Sequence, residues 1–119
     1  MRVGVDGRFF SDPLTLGRGM GRYSLMQIDA IRRFRPEIEL VAFVRPDGEG
    51  VCRRVASGLE ARAIPADLCR PVAGARSRPD RLSREAVLSD WLRGERLDAF
   101  LSTTPFLLEV EPFPPFAGT

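Results

Sequence analysis

Residues 40–44 read Leu40-Val41-Ala42-Phe43-Val44, five apolar residues in a row, closed by Arg45-Pro46-Asp47-Gly48. A strand with one wet face alternates apolar and polar residues. An unbroken run fits a strand covered on both faces, as in a parallel sheet between two layers of helices. Upstream, Tyr23, Met26, Ala30, Ile31 and Phe34 recur at helical spacing. Leu25 and Ile28 widen that face, which predicts a well-buried helix ended by Pro36. Further upstream, Val3 and Val5 form a first strand stopped at Asp6-Gly7, and Ser11 to Gly19 reads as a loop.

Downstream, the pattern predicts a short helix over Val51–Leu59 and a third strand over Ala61–Ile64, halted by Pro65. An irregular loop is expected from Ala66 to Pro79. A second clear helix follows from about Leu82 to Arg93, with Val87, Leu88, Trp91 and Leu92 inward and Gly94 as its stop. Leu97–Leu101 is the fourth strand. Strands that alternate with helices imply right-handed crossovers and a parallel sheet, so the fold class is α/β with helices on both sheet faces.

The chain has 119 residues, 44% of them hydrophobic, which suffices for one domain with its own core. A charged fraction of 29% with a net charge of +2 argues against a disordered tail or a polyanion-binding arm. All 18 basic residues are Arg, with no Lys and no His. The bias is read mainly as compositional, and the absence of His removes the commonest general base and zinc ligand. Cys52 and Cys69 form no CxxC pair and no metal cluster, so no metal and no cofactor is expected. Two reduced thiols of a cytosolic protein is the favoured state, with a disulfide left open. No signal segment stands at the N-terminus, and the longest uncharged apolar stretch, Ala99–Leu108, falls short of the roughly 20 residues that span a bilayer.

In an open parallel sheet, ligands bind beyond the carboxyl ends of the strands. That rule selects Asp6–Arg8, the stretch Gly17–Arg22, the Arg45–Gly50 turn and Ser102–Pro105. The segment Gly17-Arg18-Gly19-Met20-Gly21-Arg22 has glycines at the start of a helix, where backbone amides and the helix dipole favour an anion. It is neither the dinucleotide GxGxxG nor a P-loop. Flexible punctuation ahead of a packed helix explains the glycines equally well.

Met1-Arg-Val-Gly-Val-Asp-Gly-Arg8, followed by Gly19-Met20-Gly21-Arg22-Tyr23, resembles the opening of bacterial family-4-type GT-B glycosyltransferases. Trp91-Leu92-Arg93 and Leu97–Ser102 are similar to the helix and strand that precede a Ser-Pro or His-Ser-Pro loop in those enzymes. The resemblance covers both ends of the chain and fades between Gly48 and Pro79. It implies a Rossmann-like N-terminal domain over residues 1–104 and a proline-rich segment, 105–119, leading to a continuation. It further implies that Gly19, Met20, Gly21 and Arg22 lie near a donor diphosphate or the acceptor, with Asp6, Arg8 and Thr103 at the cleft edge.

The family's Glu-x7-Glu motif and cleft-facing His have no counterpart in this chain, so the resemblance implies an acceptor-side part without catalytic residues of its own. The partners it implies are a second Rossmann-like domain, a nucleotide-sugar donor and an acceptor. Self-association and peripheral membrane contact of the parent protein also follow as expectations. Asp6 reads equally well as a structural cap of its turn, and the hydroxyls of Ser102 to Thr104 as turn residues. The alternative reading is a non-catalytic α/β binding or adaptor module. Nucleic-acid binding is disfavoured, because the arginines are scattered over every segment instead of gathered on one face.

Overall fold

Four parallel strands form the sheet in a computed structural model, which describes residues 1–69 and 87–102. They are β1 (Arg2–Asp6), β2 (Glu39–Val44), β3 (Glu60–Ala63) and β4 (Ala99–Leu101), in the order β3-β2-β1-β4. Val3 pairs with Leu40 on one side and Ala99 on the other, and Val41 pairs with Glu60. The helical elements are α1 (Pro13–Leu16), α2 (Gly19–Phe34), α3 (Glu49–Val55), α4 (Ala66–Cys69) and α5, described over residues 87–93. Short 3-10 turns occupy Arg8–Ser11 and Pro46–Gly48. The α/β class with a parallel, Rossmann-like sheet is therefore observed directly.

The unbroken run in β2 is explained by two separate cores. Leu40, Ala42 and Val44 pack with Val5, Phe9, Phe10, Ile28 and Cys52 beneath α2 and α3. Val41 and Phe43 point the other way, with Ile64, Leu92 and Leu97, and Leu68, Leu88, Trp91 and Phe100 pack around them. Side chains alternate across a strand, so consecutive apolar residues are needed only where both faces are covered. The reversal of face has a topological cause. β1→β2→β3 moves one way along the sheet and β3→β4 moves back past β1, so right-handed connections put α5 opposite α2 and α3.

Several sequence expectations change. The loop expected between Ser11 and Gly19 contains α1, and the start of the Ala66–Pro79 loop contains α4. Residues 70–79 lie outside the described residues, as do the start of the second long helix and the tail 105–119. The third strand begins one residue early at Glu60, and the fourth covers only Ala99–Leu101. Val55 and Val87 are exposed, while Leu59 is buried just beyond α3.

The largest correction concerns α2. Tyr23, Met26, Ala30 and Phe34 face solvent, and the buried face is Gly21, Ser24 and Ile28, flanked by Leu25 and Ile31. Ser24 sits without cost among apolar neighbours because its hydroxyl donates to the Met20 carbonyl at 2.8 Å. No described helix is long and apolar enough to cross a membrane.

Candidate site at the carboxyl edge of the sheet

The 16 residues of α2 span about 24 Å and return the chain from the carboxyl edge to the amino edge. There β2 begins, with the Glu39 amide donating to the Met1 carbonyl at 2.9 Å. The start of α2 therefore lies at the edge where ligands of open parallel sheets bind. Its N-cap, Arg18, is extended and makes no side-chain cap. Gly19, Met20 and Arg22 are exposed, and Gly21 is buried. A Cβ at Gly19 would meet nothing within 4 Å, so packing does not require glycine there. By contrast, a Cβ at Gly7 would come within 2.8 Å of Val44 Cγ1, which makes that glycine a packing residue of the β1–β2 contact.

Asp6 and Arg8 are spent on each other. The Arg8 Nε donates to Asp6 Oδ1 at 3.0 Å and Nη2 to Asp6 Oδ2 at 2.9 Å, while the Arg8 backbone N–H reaches Oδ1 at 3.1 Å. Asp6 is fully buried and Arg8 nearly so. A two-pronged pair of this kind fixes the turn that leaves β1. The Asp6 carboxylate is thus both the cap of its turn and the partner of the buried cation. Two aromatic rings, Phe9 and Phe10, stack at 4.3 Å between centroids directly after it and seal the turn into the core.

A third charged group at this edge, Arg45, belongs to the Arg45–Gly50 turn that the strand-end rule selects, although the sequence assigns it no role of its own. Arg45 leaves the carboxyl end of β2 with an extended backbone (φ −69°, ψ 154°), which carries the strand's alternation one residue further and sets it on the Phe43 face. Its Nε and Nη2 are buried without a hydrogen-bond partner. Asp47, two residues on, accepts from the Ser11 hydroxyl at 2.8 Å and makes no ion pair with Arg45. Ser102 is exposed just past β4, and Thr103 lies outside the described residues.

The opposite end of the same sheet face contrasts with it. Arg2 donates to Glu39 and, through Nε, to the Glu95 carbonyl at 3.0 Å, and its backbone exchanges bonds with Asp98. Glu95 in turn accepts both prongs of Arg62 at 3.1 Å. On the α2 side, Cys52 is a free buried thiol whose pKa burial pushes up to about 11, so it stays protonated and unreactive at neutral pH. Among the described residues, no group of three His, Cys, Asp or Glu side chains converges as metal ligands do. No protein-family model, curated protein or solved structure matches this chain.

Proposed function

We propose that the chain is the acceptor-side, N-terminal part of a cytoplasmic GT-B glycosyltransferase that moves a sugar from a nucleotide-sugar donor. The observation that carries this reading is Gly19. It opens a long helix at the ligand-binding edge, and open space surrounds its missing side chain. A glycine that packing does not need is explained by a group that must approach the backbone there. In this reading the amides of Gly19, Met20 and Gly21 face the reacting sugar's phosphate or the acceptor, and Arg22 adds a charge at the rim. Catalytic residues come from a second Rossmann-like domain.

The test is the reading frame beyond Thr119 together with calorimetric titration of nucleoside diphosphates into the isolated chain. A further strand–helix series with a Glu-x7-Glu motif supports the reading, as does nucleotide binding no tighter than millimolar. A frame that ends without either overturns it, and so does tight nucleotide binding by this chain alone, which would remove the division of labour. A second reading, a non-catalytic α/β binding module, draws on the exposed stripe of Tyr23, Met26 and Phe34 along α2. Sedimentation that shows a concentration-dependent dimer abolished by Met26→Glu would favour it.

A further inference from the structure

Arg8 and Arg45 follow the carboxyl ends of the two central strands, and the same edge of the guanidinium is occupied in one and empty in the other. In Arg8 that edge, Nε with Nη2, holds the two oxygens of Asp6 at 3.0 and 2.9 Å. In Arg45 the same two nitrogens are the ones left buried and unpartnered. The two N–H bonds on this edge are parallel and spaced to match two oxygens of one carboxylate or phosphoryl group. Asp47 and Asp67 also follow strands at this edge, and neither accepts a hydrogen bond from the buried Nε or Nη2 of Arg45. Buried donors without acceptors are costly, so a group that supplies both oxygens gains more than a surface ion pair would.

We infer that Arg45 is the anchor of an oxyanion site at the carboxyl edge of the sheet. The ligand group presents two oxygens along one edge, as Asp6 does to Arg8, and belongs to a molecule with a free carboxylate or phosphoryl group. Arg45 is half-buried as a residue, so part of its side chain already meets solvent at the edge while the donor edge stays buried. The Arg8–Asp6 pair is already closed and needs no ligand. The site stands independently of the glycosyltransferase reading, since it rests on the two arginines and not on the glycine segment.

The experiment is thermal unfolding of the full chain in sodium succinate, sodium phosphate and sodium chloride at matched ionic strength, repeated on Arg45→Met and Arg45→Lys. The wild type should gain about 3–5 °C at saturating succinate or phosphate over chloride, and the stronger of the two names the oxyanion. Arg45→Met should lose that response, with a Tm in chloride equal to or above wild type, because it removes the orphaned donors. Arg45→Lys keeps the charge but not the fork and should weaken the apparent affinity about tenfold. A Tm in chloride lowered by more than about 5 °C in Arg45→Met, or failure of that variant to fold, means the chain itself satisfies the guanidinium and overturns the site. So does a response that is equal in all three salts, or one that survives in Arg45→Met. In the wild type, an Arg45 Nε–H resonance, assigned by its loss in Arg45→Lys, should shift saturably with the active anion, and a resonance that does not move overturns the inference whatever the variants do.

Discussion

The two ends of the β-sheet face covered by α5 carry charges in opposite states. At the amino end, Arg2 and Arg62 share Glu39, Glu60, Glu95 and Asp98, so acids outnumber bases and both guanidiniums have partners. At the carboxyl end, Asp6 is held by Arg8, and the buried Nε and Nη2 of Arg45 have no hydrogen-bond partner. Between them lies a dry strip of Val41, Phe43, Ile64, Leu92 and Leu97. The amino end is satisfied and serves to tie four strands together. The carboxyl end holds one closed pair and one open donor edge, which is the state expected where a ligand completes the structure.

Substitutions at each end should separate these roles. Asp6→Asn strips the charge from the partner of a buried guanidinium and should cost about 3 kcal/mol in urea denaturation. Replacing both partners, as in Asp6→Leu with Arg8→Met, should recover much of that loss; a double variant as unstable as the sum of the singles would show that the pair does not act as a unit. In the dry strip, Gly4→Ala should cost about 2 kcal/mol by the same measurement. The added Cβ would lie 2.6 Å from Leu97, 2.8 Å from Phe43 and 2.9 Å from Phe100, and all three are packed side chains. At the amino end, Arg2→Gln should cost only about 1 kcal/mol, because the side chain is 22% exposed and its partners are wet. That cost should shrink in 1 M salt, whereas the cost of Asp6→Asn should persist. An Arg2 effect as large and as salt-resistant as that of Asp6 would erase the contrast.

The smallest effect at neutral pH lies on the opposite face. The Cys52 thiol titrates near 11 when folded against an ordinary 9.0, so the native state holds its proton longer than the unfolded chain. Its contribution to stability is complete below pH 9 and is lost as the pH rises toward 11. Thermal unfolding across that window should show the decline, and Cys52→Ala should flatten it.

The sheet was legible because β2 is apolar without interruption, which only a two-sided environment demands. The order of elements followed from Pro36, Pro46-Asp47-Gly48, Pro65 and Gly94, whose backbone constraints act locally. The orientation of α2 was not legible. Counting apolar residues selects Tyr23, Met26 and Phe34, whereas the buried positions are the small residues Gly21 and Ser24 beside Ile28. Apolar size and burial are separate criteria, and here they point to adjacent sides of one helix. Asp6 and Arg8 were visible as candidates, but a spacing of two residues does not tell a mutual pair from two groups turned to a ligand. Arg45 lies in a turn that the strand-end rule selects, but nothing marks it out within that turn, since an arginine before a proline turn looks like ordinary solvated punctuation. Its state emerges only from the balance of donors and acceptors in three dimensions.

The position of β1 has a consequence for how the chain is made. Of the four described strands β1 is made before the others, yet one of its edges pairs with β2 and the other with β4, whose Ala99 to Leu101 come almost a hundred residues later. At a synthesis rate of about 5–20 residues per second, the interval between β2 and β4 is several seconds. Through that time a nascent β1 keeps one row of backbone donors and acceptors open to any passing strand. Only the pairing with β4 closes it, so among the described strands the earliest is protected by the latest.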